Sequence, residues 1–182
     1  EGDIEVDVVI VGGGFSGVAT ALELGELGYK VALLEANRIG WGASGRNGGQ
    51  MIGGLSGESA IAKALGAEGE KALWDMRWAG HKIIRDRVAT YNIDCDLKTG
   101  YLDVAIKPRH IKDLHEELEM LEKYQFPHEF RMLSREETQD TTRTKAYIGA
   151  MLNMGNGHLH PLNLCAGEAA AAASLGATIY EQ

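Results

Sequence analysis

The first regular structure that the sequence predicts lies in VDVVIVGGGFSG, residues 6–17. A β-branched run at residues 6–11 ends at consecutive glycines, and an apolar-patterned segment follows over residues 15–28. This profile predicts a buried strand that is apolar on both faces, a tight turn, and a helix that ends at Gly28. A second apolar run at residues 30–35 predicts another buried strand. Strand, helix and strand in this order form a βαβ unit, so the predicted fold class is α/β with a parallel sheet.

The glycines of the first turn have the spacing Gly-x-Gly-x-x-Gly, which is typical of a dinucleotide site. Gly12 permits the tight turn, Gly14 lets the backbone approach a pyrophosphate, and Gly17 lets the helix pack against the strand. The pyrophosphate would lie at the helix N-terminus, where free N–H groups and the dipole favour anions. Glu35 ends the second strand, where an acid can accept hydrogen bonds from both ribose hydroxyls and disfavours the 2′-phosphate of NADP. The alternative is a glycine-rich turn beside a charged strand end, without a ligand.

A second glycine-rich stretch covers residues 37–57 and shows neither helical nor strand periodicity. A loop of this length is unusual unless it is functional or disordered. Its segment GWGASGRNGGQ, residues 40–50, would let peptide groups come close to a bulky, flat ligand. Ser44 and Asn47 could hydrogen-bond to phosphate or to ring edges. A mobile surface loop is the alternative interpretation.

The remainder of the chain alternates between predicted helices and strands. Helices are expected at about 58–91, around 111–121, at 135–137 and at 161–175, and strands at 101–106, 129–133, 146–152 and 177–180. Because a doubly wound sheet with three parallel strands would be unusually small, we expect the chain to be part of a longer protein.

Composition excludes several classes of function. The chain has 182 residues, 18 of them basic and 26 acidic, for a formal net charge of −8 without a basic stripe. This balance argues against nucleic acid as the main partner. No apolar run approaches the roughly 18 residues that a membrane span needs, and the acidic start lacks the features of a signal peptide. We therefore expect a cytoplasmic protein, with Cys95 and Cys165 as reduced thiols.

Some side chains that suggest chemistry are expected to be structural. His158 and His160 have the spacing of metal ligands on a strand, but no third ligand lies nearby, so no metal site is predicted. Trp74 and Trp78, one helical turn apart, are predicted to belong to a core or an interface. Ser44 has no paired histidine at a telling position, which argues against a hydrolase nucleophile.

The sequence resembles the FAD-dependent amine and amino-acid oxidoreductases of the D-amino-acid oxidase superfamily. The resemblance is carried by DVVIVGGGFSG at residues 7–17, by Leu34-Glu35, and by GASGRNGG at residues 42–49. The last motif is more similar to the γ-glutamylputrescine oxidoreductases than to the glycine or sarcosine oxidases. A weaker similarity continues at residues 157–161 and 176–181. The match covers the whole chain in order, whereas members of the superfamily are considerably longer.

The resemblance implies a Rossmann-like FAD/NAD(P)-binding domain with part of an inserted α+β substrate domain. Residues 1–90 would be the first part of the FAD-binding domain, residues 91–156 part of the substrate domain, and residues 157–182 the return to the FAD-binding domain. The implied FAD-binding residues are Gly12, Gly14, Phe15, Ser16 and Gly17 around the diphosphate, Glu35 at the adenosine ribose, Ala36 and Arg38 near the adenine, and Ser44, Arg46, Asn47, Gly48 and Gly49 near the diphosphate and the isoalloxazine. No catalytic residue can be assigned by matching.

The implied function is oxidation of a C–N bond, CH–NH or CH–NH2, in an amine or amino acid, with γ-glutamylputrescine as one candidate. In this chemistry a hydride passes to the flavin, the resulting imine hydrolyses, and O2 or another acceptor takes the electrons. An NAD-dependent dehydrogenase remains an alternative, although it leaves residues 40–50 without a role. A non-catalytic dinucleotide-binding fragment is the other alternative, and we expect the 182 residues alone to be inactive.

Overall fold

The computed structural model describes residues 2–55 and 57–182. Helices and strands alternate along the chain, and the α/β fold class predicted from the sequence is confirmed. In chain order the elements are β1 (Val8–Val11), α1 (Phe15–Glu26), β2 (Val31–Glu35), a 3-10 turn (Ala43–Gly45), β3 (Gln50–Met51), α2 (Glu58–Thr90), β4 (Lys98–Ala105), α3 (Pro108–Lys123), β5 (Phe130–Leu133), α4 (Arg135–Thr142), β6 (Gly149–His158), α5 (Pro161–Ser174) and β7 (Thr178–Glu181).

One sheet consists of three parallel strands in the order β1-β2-β7. In its register Val9 lies beside Ala32, and Leu33 lies beside Ile179. Helices α1 and α5 contact each other and share a core with this sheet. The buried members of that core are Val18, Ala21, Leu22, Val31, Leu33, Cys165, Ala169, Ala171, Ala172 and Ala177.

The prediction that β1 is buried on both faces is wrong for the described residues. Val9 is 56% exposed and Val11 is 84% exposed, whereas Ile10 packs against the core. The reason is that β1 is an edge strand of this sheet and that the core packs against the Ile10 face. Strand β2 lies between two neighbours and is closer to the prediction, with residues 31–33 at most 1% exposed.

The other sheet is built around the long strand β6, which pairs antiparallel with β4 and with β5 and follows β3 in the order β3-β6-β4. The sequence predicted only residues 146–152 as this strand. Asparagine and glycine are weak strand formers, and they dominate its second half, from Asn153 to Gly157. The second half of β6 is nevertheless buried, and Asn153 is only 2% exposed.

Helix α4 is longer than predicted, and helix α2 has an interruption that the sequence did not predict. Helix α4 runs to Thr142, with a reciprocal capping box of Ser134 and Glu137 at its start and Arg143 in the left-handed conformation at its end. Helix α2 has the predicted extent, but its backbone leaves helical geometry at Gly66 (φ 72°, ψ −165°). Trp74 on α2 is 6% exposed and lies in an apolar cluster with side chains of α3, which confirms its structural role.

The chain divides into two compact units. One contains residues 1–50, 82–97 and 159–182, and the other contains residues 51–81 and 98–158. The parallel sheet belongs to the first unit, and the strands β4, β5 and β6 belong to the second. The assignment of a FAD-binding and a substrate-binding role to separate domains stays a prediction.

Candidate functional site

The turn between β1 and α1 has the backbone that its glycine spacing predicts. Gly12 has a φ of +103°, a conformation that residues with a side chain rarely adopt. A Cβ atom on Gly17 would lie 1.9 Å from the carbonyl oxygen of Gly12, so the first turn of α1 packs directly on this backbone. The N–H of Gly12 donates to the carbonyl of Leu34 at 2.8 Å, which ties the turn to β2. The motif therefore encodes a close backbone approach.

The N-terminus of α1 carries no acidic side chain in its first turn, and its N-cap, Gly14, supplies no capping side chain. Val18 is the residue whose N–H bonds back to the Gly14 carbonyl, at 2.9 Å, so the N–H groups before it lack the usual helical acceptor. The N–H of Phe15 donates to Ser44 Oγ at 2.9 Å. The positive end of the helix dipole is thus free of a competing carboxylate in that turn, which suits a diphosphate.

Glu35 links this turn to the loop that follows β2. Its Oε2 accepts the N–H of Gly13 at 2.7 Å, and its Oε1 accepts the N–H of Asn37 at 2.8 Å. These bonds, the one from Gly13 first, hold the pKa of the Glu35 carboxyl below its usual value. A carboxylate has about four lone-pair sites, so these two bonds leave acceptor capacity for the two hydroxyls of a ribose.

The loop after β2 is anchored to the glycine turn. The N–H of Gly40 donates to the carbonyl of Gly13 at 2.9 Å. A Cβ atom on Gly13 would lie 2.6 Å from Ile39 Cδ1, so the Ile39 side chain occupies the space beside this glycine. Ala36 and Arg38, predicted near the adenine, are both exposed on this loop. The sequence did not point to Gly13 or Ile39, because neither belongs to the Gly-x-Gly-x-x-Gly spacing.

Residues 44–49, predicted near the diphosphate and the isoalloxazine, are held largely by hydrogen bonds to nearby backbone of the same loop. The side-chain amide of Asn47 donates to the carbonyls of Ala43 and Ser44, at 3.1 and 2.9 Å, and its Oδ1 accepts the N–H of Gly49 at 2.9 Å. The Arg46 guanidinium donates from Nε to the backbone carbonyl of Trp41 at 2.6 Å. Its central carbon lies 4.7 Å from the centre of the Trp41 indole ring. Asn47 and Arg46 therefore shape the loop, and contact with phosphate or ring edges stays a prediction.

Gly48 and Gly49 lie where the loop makes close contacts. Gly49 has a φ of +71°, and a Cβ atom there would lie 1.9 Å from the carbonyl oxygen of Leu159. The carbonyl of Gly49 also accepts the N–H of Leu159 at 2.9 Å. At Gly48 an added Cβ atom would lie 2.6 Å from Gln50 Oε1. Glycine at position 49 is thus required by the approach of another backbone within the same unit.

A buried thiol lies beneath the glycine turn. The Sγ of Cys165, on α5, donates to the carbonyl of Gly13 at 3.6 Å, and Cys165 is fully buried. Burial, with smaller effects from the charges of Glu168 and Glu35, raises the pKa of this thiol to about 11. Cys165 is therefore a neutral donor that supports the turn, and nothing in the local sequence indicates this contact.

The histidines considered as metal ligands have other positions. His160 is the N-cap of α5, and its Nδ1 accepts the N–H of Asn163 at 3.2 Å. His158 is exposed at the end of β6. Within residues 2–55 and 57–182, no three His, Cys, Asp or Glu side chains are grouped so as to hold a metal ion. No helix in the same ranges is long and apolar enough to cross a membrane.

The parallel β1-β2-β7 sheet, the glycine turn at the start of α1 and the carboxylate at the end of β2 define a dinucleotide-binding α/β protein. Residues 7–182 match the family model described as FAD dependent oxidoreductase, and the chain belongs to this family. FAD is the cofactor of the family, as the sequence predicted. An interpretation as an NAD-dependent dehydrogenase is therefore not needed.

Two curated relatives cover nearly the whole chain. It is 41% identical over 179 residues to γ-glutamylputrescine oxidoreductase of Escherichia coli K12, a match that covers 98% of this chain and 42% of the relative. It is 39% identical over 178 residues to the probable oxidoreductase OrdL of Haemophilus influenzae, covering 97% and 41% respectively. The chain thus spans about 42% of the length of the curated relatives it matches.

A solved structure gives the same result for the fold. The crystal structure of glycine oxidase from Geobacillus kaustophilus is similar with a TM-score of 0.73 and 27% sequence identity. The similarity covers 97% of this chain and 46% of that one. The chain therefore shares the fold of that oxidase over 97% of its length.

Proposed function

We propose that the protein oxidises a C–N bond of an amine or amino acid with FAD, and that γ-glutamylputrescine is a candidate substrate. The observation that carries this proposal is the 41% identity to γ-glutamylputrescine oxidoreductase over 98% of the chain. The sequence GASGRNGG at residues 42–49 supports it from the residues themselves. The proposed substrate class is a small-molecule amine, and the proposed electron acceptor is O2 or another oxidant.

The residues present fit the cofactor. The space beside Gly12 is open, since an added Cβ atom there would meet nothing within 4 Å, and the α1 N-terminus offers N–H groups to the diphosphate. We assign the diphosphate to residues 12–17, the adenosine ribose to Glu35, and the adenine end to Ala36 and Arg38. Residues 44–49, including Ser44, Arg46, Asn47, Gly48 and Gly49, are assigned to the diphosphate and the isoalloxazine.

When bound, FAD supplies an acceptor for a hydride from the carbon beside the amine nitrogen. The residues of this chain bind and orient that group. Glu35 is a carboxylate at neutral pH, and the two backbone N–H groups that lower its pKa stabilise this charge further, so it can accept bonds from ribose hydroxyls. The oxidised substrate is an imine, which takes up water and separates into a carbonyl compound and an amine or ammonia.

Cofactor binding is tested first. The protein expressed from its complete gene is equilibrated with FAD, freed of excess ligand and examined for a visible flavin spectrum. We expect a flavin band at about one FAD per chain, and NADH in excess should not displace it. A protein that retains no flavin would contradict the proposed cofactor site.

Substrate class is tested with the FAD-loaded protein under anaerobic conditions. We expect bleaching of the flavin band by γ-glutamylputrescine and release of an aldehyde or ammonia. N-acetylated γ-glutamylputrescine is the matched control, since its nitrogen lone pair is delocalised and should support no bleaching. Bleaching by glycine, sarcosine or a D-amino acid instead would retain the C–N oxidation and overturn the substrate. No bleaching by any amine would favour the non-catalytic alternative.

A further inference from the structure

A second carboxylate lies at the carboxyl end of the parallel sheet, beside the one that the motif identifies. Glu181 on β7 is in register with Glu35 on β2, so the two residues are neighbours across parallel strands. The Oε1 of Glu181 accepts the N–H of Ile39 at 2.6 Å, although 142 positions separate these residues. A short bond from a backbone N–H to a carboxylate is among the stronger hydrogen bonds of proteins.

Ile39, which Glu181 holds, and the next residue both contact the glycine turn at Gly13. Ile39 Cδ1 occupies the space beside Gly13, where it would lie 2.6 Å from an added Cβ atom. The next residue, Gly40, donates its N–H to the carbonyl of the same glycine at 2.9 Å. Glu181 therefore fixes the backbone of Ile39, and Ile39 and Gly40 in turn hold Gly13.

The two carboxylates hold different parts of the loop at residues 36–40. Glu35 accepts the N–H of Asn37 at 2.8 Å, near the start of the loop, and Glu181 accepts the N–H of Ile39, near its end. Arg38 lies between the two anchored N–H groups. Two anchored N–H groups restrict the conformations open to the loop before a ligand binds, which lowers the ordering cost of binding.

We infer that Glu181 is a positioning residue of the dinucleotide site, which acts on the adenosine half of FAD through Ile39 and Gly13. This inference rests on the proposed placement of the adenosine beside Glu35 and the loop at residues 36–40. Glu181 itself is not assigned a contact with the cofactor. Its carboxylate sets the loop that the adenosine meets.

The test compares Glu181→Ala with Glu181→Gln in the protein expressed from its complete gene. FAD affinity is measured by quenching of flavin fluorescence, ADP affinity by competition with FAD, and FMN affinity as the control for the half of the cofactor without adenosine. We expect Glu181→Ala to weaken FAD and ADP by the same factor, about tenfold, and to leave FMN unchanged. Glu181→Gln retains an acceptor oxygen and should recover most of the affinity.

Two further variants keep the result interpretable. Ile39→Ala should weaken ADP in the same way, since Glu181 acts through this residue. Glu5→Ala removes an exposed carboxylate of the same unit and should change none of the affinities. Should Glu181→Ala fail to fold, the Glu181→Gln and Ile39→Ala variants carry the comparison.

The outcomes separate this inference from the proposed function. A wild-type protein that binds no FAD contradicts the cofactor placement itself. A wild-type protein that binds FAD, with unchanged ADP affinity in Glu181→Ala and Ile39→Ala, overturns the role of Glu181 alone. Equal weakening of FMN and ADP also overturns it, because that pattern indicates a general loss of structure.

Discussion

Ser44 Oγ lies 2.9 Å from the backbone nitrogen of Phe15 and accepts its N–H, which joins the loop at residues 43–49 to the first residue of α1. The bond acts as a helix cap supplied from 29 positions away in the chain. Helix α1 therefore receives from a loop the acceptor that its own N-cap, Gly14, cannot provide.

Replacement of Ser44 by alanine should lower the stability of the protein without cofactor by about 1 kcal/mol, because the Phe15 N–H loses its acceptor. Urea unfolding measures this difference. Ser16→Ala, at an exposed position of the same helix turn, is the control and should change stability little. Equal stabilities of the Ser44→Ala and wild-type proteins would show that the cap is replaced by water.

Glu35 predicts a pH dependence of stability. The N–H groups of Gly13 and Asn37 hold the pKa of this carboxyl below its ordinary 4.5. A folded-state pKa that is lowered gives a stabilising contribution that is present above the unfolded value and is lost as the pH falls through the folded value. Unfolding free energies of wild type should therefore fall more steeply below pH 4.5 than those of Glu35→Gln. Parallel pH profiles would contradict the two backbone bonds.

The same residue predicts a loss of cofactor affinity. Glu35→Ala should weaken FAD and ADP binding, since the ribose loses its acceptors and the turn at Gly13 loses its partner. Titration followed by flavin fluorescence measures the effect. Riboflavin, which lacks the adenosine, should bind the variant as it binds wild type. An unchanged affinity for ADP would place the ribose elsewhere.

Two glycines in helices should respond oppositely to alanine. At Gly17 the new Cβ atom would lie 1.9 Å from the Gly12 carbonyl oxygen, so we expect a loss of about 3 kcal/mol or more. At Gly80, on α2, nothing lies within 4 Å of the new atom, so a gain of about 0.5–1 kcal/mol is expected from the helix preference of alanine. Thermal unfolding compares the two variants directly.

A buried ion pair supplies a further prediction. Arg87 lies 3.5 Å from Glu168, whose side chain is 4% exposed, and it also pairs with Glu23 at 2.7 Å. Burial raises the pKa of Glu168 despite the nearby guanidinium. Arg87→Met should destabilise the protein by about 3–5 kcal/mol because it leaves a buried carboxylate without its partner.

The double variant Arg87→Met with Glu168→Met is the control for that prediction. Removal of both charges replaces the pair by apolar atoms of similar size, so most of the lost stability should return. A double variant as unstable as Arg87→Met alone would assign the loss to Glu23 instead of Glu168. Denaturant unfolding of the wild type, Arg87→Met, Glu168→Met and the double variant gives the coupling energy.

The sequence predicts those parts of the site that depend on short spacings. Gly12, Gly14 and Gly17 are three residues of one turn, and Glu35 follows at the end of the next strand, so the local pattern contains their geometry. The contacts of Glu181 with Ile39 and of Cys165 with Gly13 join residues 142 and 152 positions apart. No periodicity reports such a pairing, because it depends on the order of strands and helices in the folded unit.

In the fold, too, features set by local sequence are predictable and features set by distant contacts are not. The helices α1 and α5 follow from their apolar spacing and from glycines at their ends, whereas the exposure of Val9 and Val11 depends on which elements lie against β1. Strand β6 was underestimated because Asn153 and Asn156 oppose strand propensity and are stabilised by burial and hydrogen bonds instead. Tertiary context thus overrides local preference where polar groups are satisfied inside the fold.

The order of strands in the parallel sheet has a consequence for synthesis on the ribosome. Strand β7 pairs with β2, but it is made much later: Glu181, at the end of β7, follows Ile39, just after β2, by 142 positions. At a synthesis rate of about 5–20 residues per second, roughly 7–28 seconds pass between the synthesis of β2 and that of its partner strand β7. During that interval Leu33 and Leu34 form an unpaired edge of the kind that recruits other strands. Nascent chains stalled before residue 178 should therefore depend more on chaperones than chains released after it.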